Sequence, residues 1–190
     1  MRKNKCFILI AISLIFYACE RDDICAEGTP TTPRLLIEFF DVSDIETLKS
    51  VTRLSAYGQS LVDDGLPVNA TEAEDVAILF NSNSNSLQLP LLVGLEGEEI
   101  TTTYLLEKDT NLRIDENTST DSNIDVVRIT YKPEFVYVSR ACGFKSIFTE
   151  LEIEVVDDGD NWIQNFSFTD TISQSITLEN EDATHVQIFH

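Results

Sequence analysis

The segment Glu150–Val155 reads ELEIEV and alternates strictly between acidic and apolar side chains. Side chains on a β-strand point to opposite faces with a period of two. The pattern therefore predicts a strand whose glutamates face solvent, while Leu151, Ile153 and Val155 face a core.

Similar short apolar segments recur along the rest of the chain. Residues 124–131 place Val127, Ile129 and Tyr131 on one face, and residues 76–80 read VAILF. Turn-forming clusters such as NSNSNS and DDGDN separate these segments, and no long segment has the helical period of 3.6. About nine to eleven short strands are expected, which favours an all-β fold. We predict an antiparallel β-sandwich of Ig-like architecture, with a jelly roll or a small barrel as the alternative.

Two segments interrupt the strand pattern. Ser43 and Glu46 stand at capping-box spacing, so we expect at most one helical turn in the segment Ser43–Lys49. Residues 63–75 contain Gly65, Pro67 and several acids, which predicts a loop, either irregular throughout or with a short strand near its centre.

The composition excludes several classes of partner. The chain has 190 residues, with 33 acidic and 13 basic side chains and a formal charge of −20. Nucleic-acid binding requires a surplus of Lys and Arg, and the same surplus is needed to dock on anionic lipid through a basic patch. We therefore expect neither kind of contact, and no nucleic-acid partner.

The first nineteen residues are typical of a bacterial export signal. Three basic residues precede Cys6–Ala18, which has 13 residues and no charge. At 1.5 Å per residue this segment spans about 20 Å, too short for a bilayer core of about 30 Å but suited to a signal peptide. The junction of Ala18 and Cys19 resembles a lipobox, which implies cleavage before Cys19 and a lipid on its sulfur. Cleavage by the ordinary signal peptidase, leaving Cys19 a thiol, is the alternative.

The residues after Cys19 carry a second signal. Arg21, Asp22 and Asp23 resemble the signal that brings Bacteroidota lipoproteins to the cell surface. Retention in the inner membrane and a solvated spacer are the alternatives. The chain accordingly divides into a lipoprotein signal peptide at residues 1–18, a lipidated tether at residues 19–33 and a β-sandwich domain at residues 34–190.

Two cysteines are left for the domain. An even pair in an exported, oxidising compartment predicts a disulfide between Cys25 and Cys142. Two buried thiols are one alternative. A catalytic thiol is another, because Arg140 and Lys145 flank Cys142 and His185 is an available base.

One acidic turn and one triplet are weaker candidate sites. The turn contains the weak calcium candidates Asp157, Asp158, Asp160 and Asn161. Because the spacing does not match a calcium-binding loop, we predict an exposed turn, no metal and no other cofactor. The triplet Asp170-Thr171-Ile172 resembles an O-glycosylation signal of exported Bacteroidota proteins, which makes Thr171 a candidate modification site.

Four segments together carry a family resemblance. Cys25 with TPTTPRLLIEFFD, then KPEFVYVSRACGFKSIF, DNWIQNF and NEDATHVQIFH, resemble a Bacteroidota family of single-domain lipoproteins of unknown function. The resemblance implies a lipid anchor, export, a mostly β body and a tie between Cys25 and Cys142. It implies no activity.

The functional expectation is a non-catalytic binding or interaction module on the outer membrane. We expect it at the cell surface, with the periplasmic face as the alternative, touching the membrane only through its lipid. Its partner would be an envelope protein or a glycan. Glycan binding is the second hypothesis and depends on Tyr57, Tyr104 or Tyr137 being exposed. An envelope hydrolase is the third and requires two carboxylates beside His185.

Overall fold

The structure is a computed structural model that describes residue 25 and residues 32–63, 65–114, 121–169 and 175–190. Within these residues the chain forms eleven strands. They are β1 Leu35–Asp41, β2 Asp44–Leu48, β3 Val51–Gly58, β4 Ala77–Ser84, β5 Ser86–Leu89, β6 Ile100–Lys108, β7 Asn123–Ser139, β8 Gly143–Val155, β9 Asn165–Phe168, β10 Ile176–Leu178 and β11 Val186–Phe189. Two short helices, α1 (Ala70–Val76) and α2 (Thr110–Ile114), and a 3-10 turn at Gln59–Leu61 complete the described elements. No helix in these ranges has both the length and the apolar composition needed to cross a bilayer.

The strands form two separate sheets. The first has the order β2-β1-β11-β9, and β5 pairs with β1 alongside β2. The second has the order β10-β8-β7-β6-β3-β4. All these pairs are antiparallel except β1 and β11, which run parallel with Ile37 opposite Val186. The predicted all-β sandwich is confirmed, and the described strands do not close into the alternative small barrel.

The core lies between the two sheets. Leu151 of the ELEIEV segment is fully buried, as its alternation predicts. Trp162 crosses the core, and its indole Nε1 donates to the Leu106 carbonyl at 3.1 Å. The carboxylate of buried Asp125 accepts hydrogen bonds from the amides of Trp162 at 3.3 Å and Ile163 at 2.8 Å. These bonds satisfy backbone donors that burial removes from water.

The segment Ser43–Lys49, for which at most one helical turn is expected, contains strand β2 and no helix. The Ser43 hydroxyl donates to Asp41 Oδ1 at 2.7 Å, and the Ser43 amide donates to the same atom at 2.9 Å. Ser43 is thus used in a tight turn and does not cap a helix. The following residues return along β1, with Leu48 opposite Phe40.

The loop expected at residues 63–75 is partly wrong, because α1 begins at Ala70. Asn69 caps this helix, and its side chain accepts from the amides of Thr71 at 2.9 Å and Glu72 at 3.4 Å. An Asn cap followed by ATEAED, a segment with strong helix formers, stabilises about two turns despite the nearby glycine and proline.

Candidate interaction surface

A disulfide joins Cys25 to Cys142, as the sequence predicts. Their Cα atoms lie 4.8 Å apart, and the bond links positions separated by 117 residues. Since the two sulfurs are bonded to each other, the alternative predictions of two buried thiols or a catalytic thiol at Cys142 are wrong. The bond attaches the N-terminal segment to the turn between β7 and β8.

A hydrogen bond attaches the same segment a second time. The amide of Ser146, in β8, donates to Thr32 Oγ1 at 3.1 Å. Thr32 therefore lies beside Ser146, whereas Cys25 lies beside Cys142 and so closer to the β7–β8 turn. The two attachments show that the chain enters the domain from the end where this turn lies.

The hairpin of β7 and β8 extends past the rest of its sheet. Strand β6 begins at Ile100, which pairs with Tyr131, so the later residues of β7 have no partner in β6. Part of their free edge is covered by a loop, in which the Gly97 amide donates to the Pro133 carbonyl at 2.8 Å. We call residues 132–149 the aromatic hairpin.

Three aromatic side chains of this hairpin are exposed to solvent. Phe135 is 39% exposed, Tyr137 55% and Phe144 68%. Tyr137 and Phe144 are cross-strand partners whose rings meet edge to face with centroids 5.4 Å apart. An exposed apolar cluster of this kind on a folded domain commonly marks an interaction site.

A second surface feature is an apolar groove of about 400 Å³ beside β6. Its lining includes Leu61, Ile78, Pro90, Leu91, Leu92 and Tyr104. Leu61 is 62% exposed and Leu92 is 56% exposed, whereas Tyr104 is buried. A concave, mostly apolar site with a few polar groups is the usual form of a ligand site.

Two buried tyrosines hold one wall of the apolar groove in place. The Tyr104 hydroxyl donates to the Pro90 carbonyl. The Tyr131 hydroxyl donates to the Leu92 carbonyl at 2.9 Å and lies 2.6 Å from the Thr102 hydroxyl. Burial raises the pKa of Tyr104 and of Tyr131, so both phenols stay protonated and can donate at neutral pH.

Two of the three tyrosines proposed as glycan platforms are buried, so that expectation is wrong for Tyr57 and Tyr104. Arg113, on helix α2, lies over Tyr57 with Nη2 3.5 Å from its hydroxyl. Tyr104 forms part of the core behind the apolar groove. Tyr137 is the tyrosine of the three that remains accessible.

His185 has both ring nitrogens engaged with the backbone. Its Nδ1 accepts from the Leu36 amide at 3.0 Å, and its Nε2 lies 2.9 Å from the Asn180 carbonyl. These bonds require the neutral ring with its proton on Nε2, and burial lowers the pKa of His185 accordingly. The neighbouring Glu181 carboxylate is bound to Arg34 at 2.7 Å. His185 therefore has a structural role at this position.

Hydrogen bonds between its own residues stabilise the acidic turn at residues 157–161. Asp157 Oδ1 accepts from the Gly159 amide at 3.0 Å, and Asp158 Oδ1 accepts from the Asp160 amide at 3.2 Å. Asn161 Oδ1 accepts from the Asp158 amide at 3.3 Å. Over the described ranges, no group of three or more His, Cys, Asp or Glu side chains is placed to hold a metal ion.

Other predicted site residues lie outside the described part of the chain: Cys19, Arg21, Asp22, Asp23 and Thr171. The signal peptide at residues 1–18 also lies outside it, as does most of the tether at residues 19–33.

No sequence pattern predicts the buried ion pair of Glu107 and Arg113. Glu107 is fully buried in β6, and its carboxylate receives Arg113 Nε at 2.6 Å and Nη2 at 2.9 Å. Ser122 donates to the same carboxylate, and Arg113 also donates to the Pro67 carbonyl. The pair ties α2 to the outer face of the sheet.

The fold and these surfaces define an all-β sandwich domain with a disulfide-tied N-terminal segment, an apolar groove and an exposed aromatic hairpin. The chain matches a family of unknown function, DUF6452, over residues 65–190, which is more than half of its length. The chain belongs to this family, and the matched range includes the whole aromatic hairpin and most of the apolar groove. No curated protein and no solved structure matches the chain.

Proposed function

We propose that the protein is an exported lipoprotein whose β-sandwich is a non-catalytic binding module. Residues 1–18 are its signal peptide, Cys19 carries the lipid, residues 19–33 are the tether and residues 34–190 are the domain. The observation that carries the proposal is the Cys25–Cys142 disulfide. Structural disulfides form and persist in exported, oxidising compartments, and this one ties the domain to a segment six residues after Cys19.

The proposed location is the outer leaflet of the outer membrane. Arg21, Asp22 and Asp23 support it through their resemblance to the Bacteroidota surface signal, as does the resemblance of the segment around Cys142 to lipoproteins of that group. Removal of residues 1–18 takes away three basic residues and no acid, so the formal charge falls from −20 to −23. A charge of this size keeps the domain soluble beside the membrane.

The proposed binding site is the apolar groove, and its occupant is an apolar segment of an envelope partner. Leu61 and Leu92 stand exposed at its rim, and the wall at residues 90–92 is already fixed by two buried hydroxyls. A preformed site loses little conformational entropy when it binds.

Metabolic labelling with a palmitate analogue tests the lipid anchor. The wild-type protein should be labelled, and Cys19→Ala should lose the label. Cys6→Ala is the matched control, because Cys6 leaves with the signal peptide and its replacement should not change labelling. Equal labelling of Cys19→Ala and wild type would refute the anchor.

Crosslinking in intact cells, followed by purification of the protein with its partner, tests the apolar groove. Leu92→Asp places a charge at the rim and should reduce the crosslinked partner at least tenfold. Ile45→Asp is the control, because Ile45 is similarly exposed but lies on β2, away from the groove. If both variants retain the partner equally, the groove is not its site.

Glycan binding is the second candidate, and the exposure of Tyr137 beside Phe144 favours it. In affinity electrophoresis, envelope polysaccharide in the gel should then retard the migration of Tyr137→Ala less than that of wild type. Leu92→Asp, which alters the apolar groove, should behave like wild type in that assay. Identical mobility of Tyr137→Ala and wild type would exclude this site.

A further inference from the structure

We propose that the aromatic hairpin rests on the membrane, with the rings of Tyr137 and Phe144 in the headgroup region beside the lipid on Cys19. The proposal rests on the lipidation of Cys19 proposed above. It assigns a second membrane contact to a protein whose sequence predicts contact through the lipid alone.

The short tether keeps Cys19 close to the β7–β8 turn. Cys25 is covalently held at the β7–β8 turn, and it lies six positions after Cys19 in the sequence. Six fully extended residues reach at most about 22 Å. The lipidated residue therefore cannot move far from the hairpin turn, and this end of the sandwich must face the membrane.

The attachment at Thr32 excludes a reversed orientation. With Thr32 bonded at Ser146 and Cys25 at Cys142, the tether approaches the domain from the turn end of β8. Strand β1 then leads away from this end, and β2 pairs with its far half. The exposed Ile45 on β2 lies at the end of β1 farther from the tether.

The exposed side chains suit a lipid–water interface. Tyr137 and Phe144 present apolar rings, and Tyr137 adds a hydroxyl that can bond to water or a headgroup. Aromatic side chains gather at this depth in membrane proteins. The residues lie on two hydrogen-bonded strands, so the backbone groups that face each other across the hairpin are paired before its turn meets lipid.

The local charge suits an anionic surface although the whole chain is acidic. Residues 135–149 contain Arg140 and Lys145 and no Asp or Glu. At physiological ionic strength, charges more than about 8 Å away are largely screened. Arg140 lies in the turn itself, whereas Glu96, whose carboxylate accepts from the Phe135 amide at 3.2 Å, lies farther back along the hairpin. A membrane at the turn therefore meets Arg140 before this carboxylate.

Fluorescence quenching in reconstituted vesicles tests whether the aromatic hairpin contacts the membrane. The full protein is purified from membranes, and mass spectrometry establishes whether Cys19 carries acyl chains. It is then reconstituted into vesicles of phosphatidylethanolamine and phosphatidylglycerol, 3:1, with and without bromine on the upper acyl carbons. Phe144→Trp is compared with Ile45→Trp, since the two positions are 68% and 64% exposed and Trp162 is a common buried background.

Phe144→Trp should lose at least three times more of its added emission to brominated lipid than Ile45→Trp, and its spectrum should shift to the blue. Phe135→Trp should show a smaller loss, and it serves as the second reporter if Phe144→Trp fails to fold. Equal quenching of the two variants in the lipidated protein would overturn the proposed contact of the hairpin with the membrane. The lipid anchor would then still stand, and the rings would be available for a glycan or protein ligand. An unlipidated protein would overturn both proposals.

Discussion

At the scale of single residues, the fully buried Glu107 carboxylate depends on Arg113. Removing one partner of a buried ion pair leaves an uncompensated charge, which typically costs about 3–5 kcal/mol. We expect Arg113→Ala to lower the free energy of unfolding by about that amount. Urea denaturation with the disulfide intact measures it.

An exposed ion pair is the matched control for Arg113→Ala. Arg128 and Glu154 pair on the solvent face with Nη1 3.2 Å from Oε2. Water screens such pairs, so Arg128→Ala should change the free energy of unfolding by at most about 1 kcal/mol. Equal losses in the two variants would show that burial does not govern the Glu107 pair.

The two histidines predict the pH dependence of stability near neutrality. Burial lowers the pKa of His185 and of His190 in the folded protein. The unfolded chain therefore takes up protons first, and stability that is complete above about pH 6.5 declines as the pH falls through that value. We expect the urea midpoint to fall between pH 7.5 and pH 5.5.

A double variant isolates this effect. His185→Gln with His190→Gln removes both titrating rings, and Gln at position 185 keeps an acceptor for the Leu36 amide. The urea midpoint of the double variant should vary less with pH than that of wild type. Carboxyl groups such as Asp125, whose pKa burial raises, are common to both proteins and cancel in the comparison. Identical pH profiles would contradict the assignment.

At the scale of elements, the Cys25–Cys142 disulfide restrains a loop of 117 residues. The chain-entropy model gives about 4–5 kcal/mol for a loop of this length, and measured effects commonly lie at about 2–5 kcal/mol. The variant Cys25→Ala/Cys142→Ala should lose free energy of unfolding in that range. Reduced wild type should unfold like this variant in urea, and an unchanged midpoint in both would refute the restraint.

Elements with a strict alternation could be predicted, and elements defined by partners could not. The ELEIEV segment has one solvent-facing side and one core-facing side, so its period of two predicts the strand that the structure shows as part of β8. Strand β2 is exposed along its length, and it becomes a strand because the open half of β1 offers it hydrogen-bond partners. Such pairing is tertiary information that no local pattern contains.

In the candidate site too, one feature could be predicted from the sequence and others could not. The cysteine count predicts the disulfide, because the predicted cleavage before Cys19 and its lipidation leave two of the four cysteines. The exposure of the tyrosines could not be predicted from local pattern. Tyr57 and Tyr104 are buried by their neighbours in the fold, and only the fold shows that Tyr137 lies beyond the end of β6. The segment at residues 135–149 contains no acidic residue and could have drawn attention to the aromatic hairpin. Its position next to the N-terminal segment is known only from the disulfide with Cys25.

At the scale of the whole molecule, the protein is an acidic sandwich whose N-terminal segment is fixed to the β7–β8 turn by the disulfide. The parallel pairing of β1 and β11 joins the first and last strands of the domain. The tether, the tip and both chain ends of the sandwich are thus connected through the first sheet and one disulfide. The proposed anchor at Cys19 would therefore orient the entire domain.

The intact mass of the protein purified from native membranes tests the central claim most directly. We predict a chain that begins at Cys19, exceeds the mass of residues 19–190 by a diacylglyceryl group and an acyl chain, and gains two hydrogens on reduction. A mass that includes residues 1–18, or one without added acyl groups, would contradict the account.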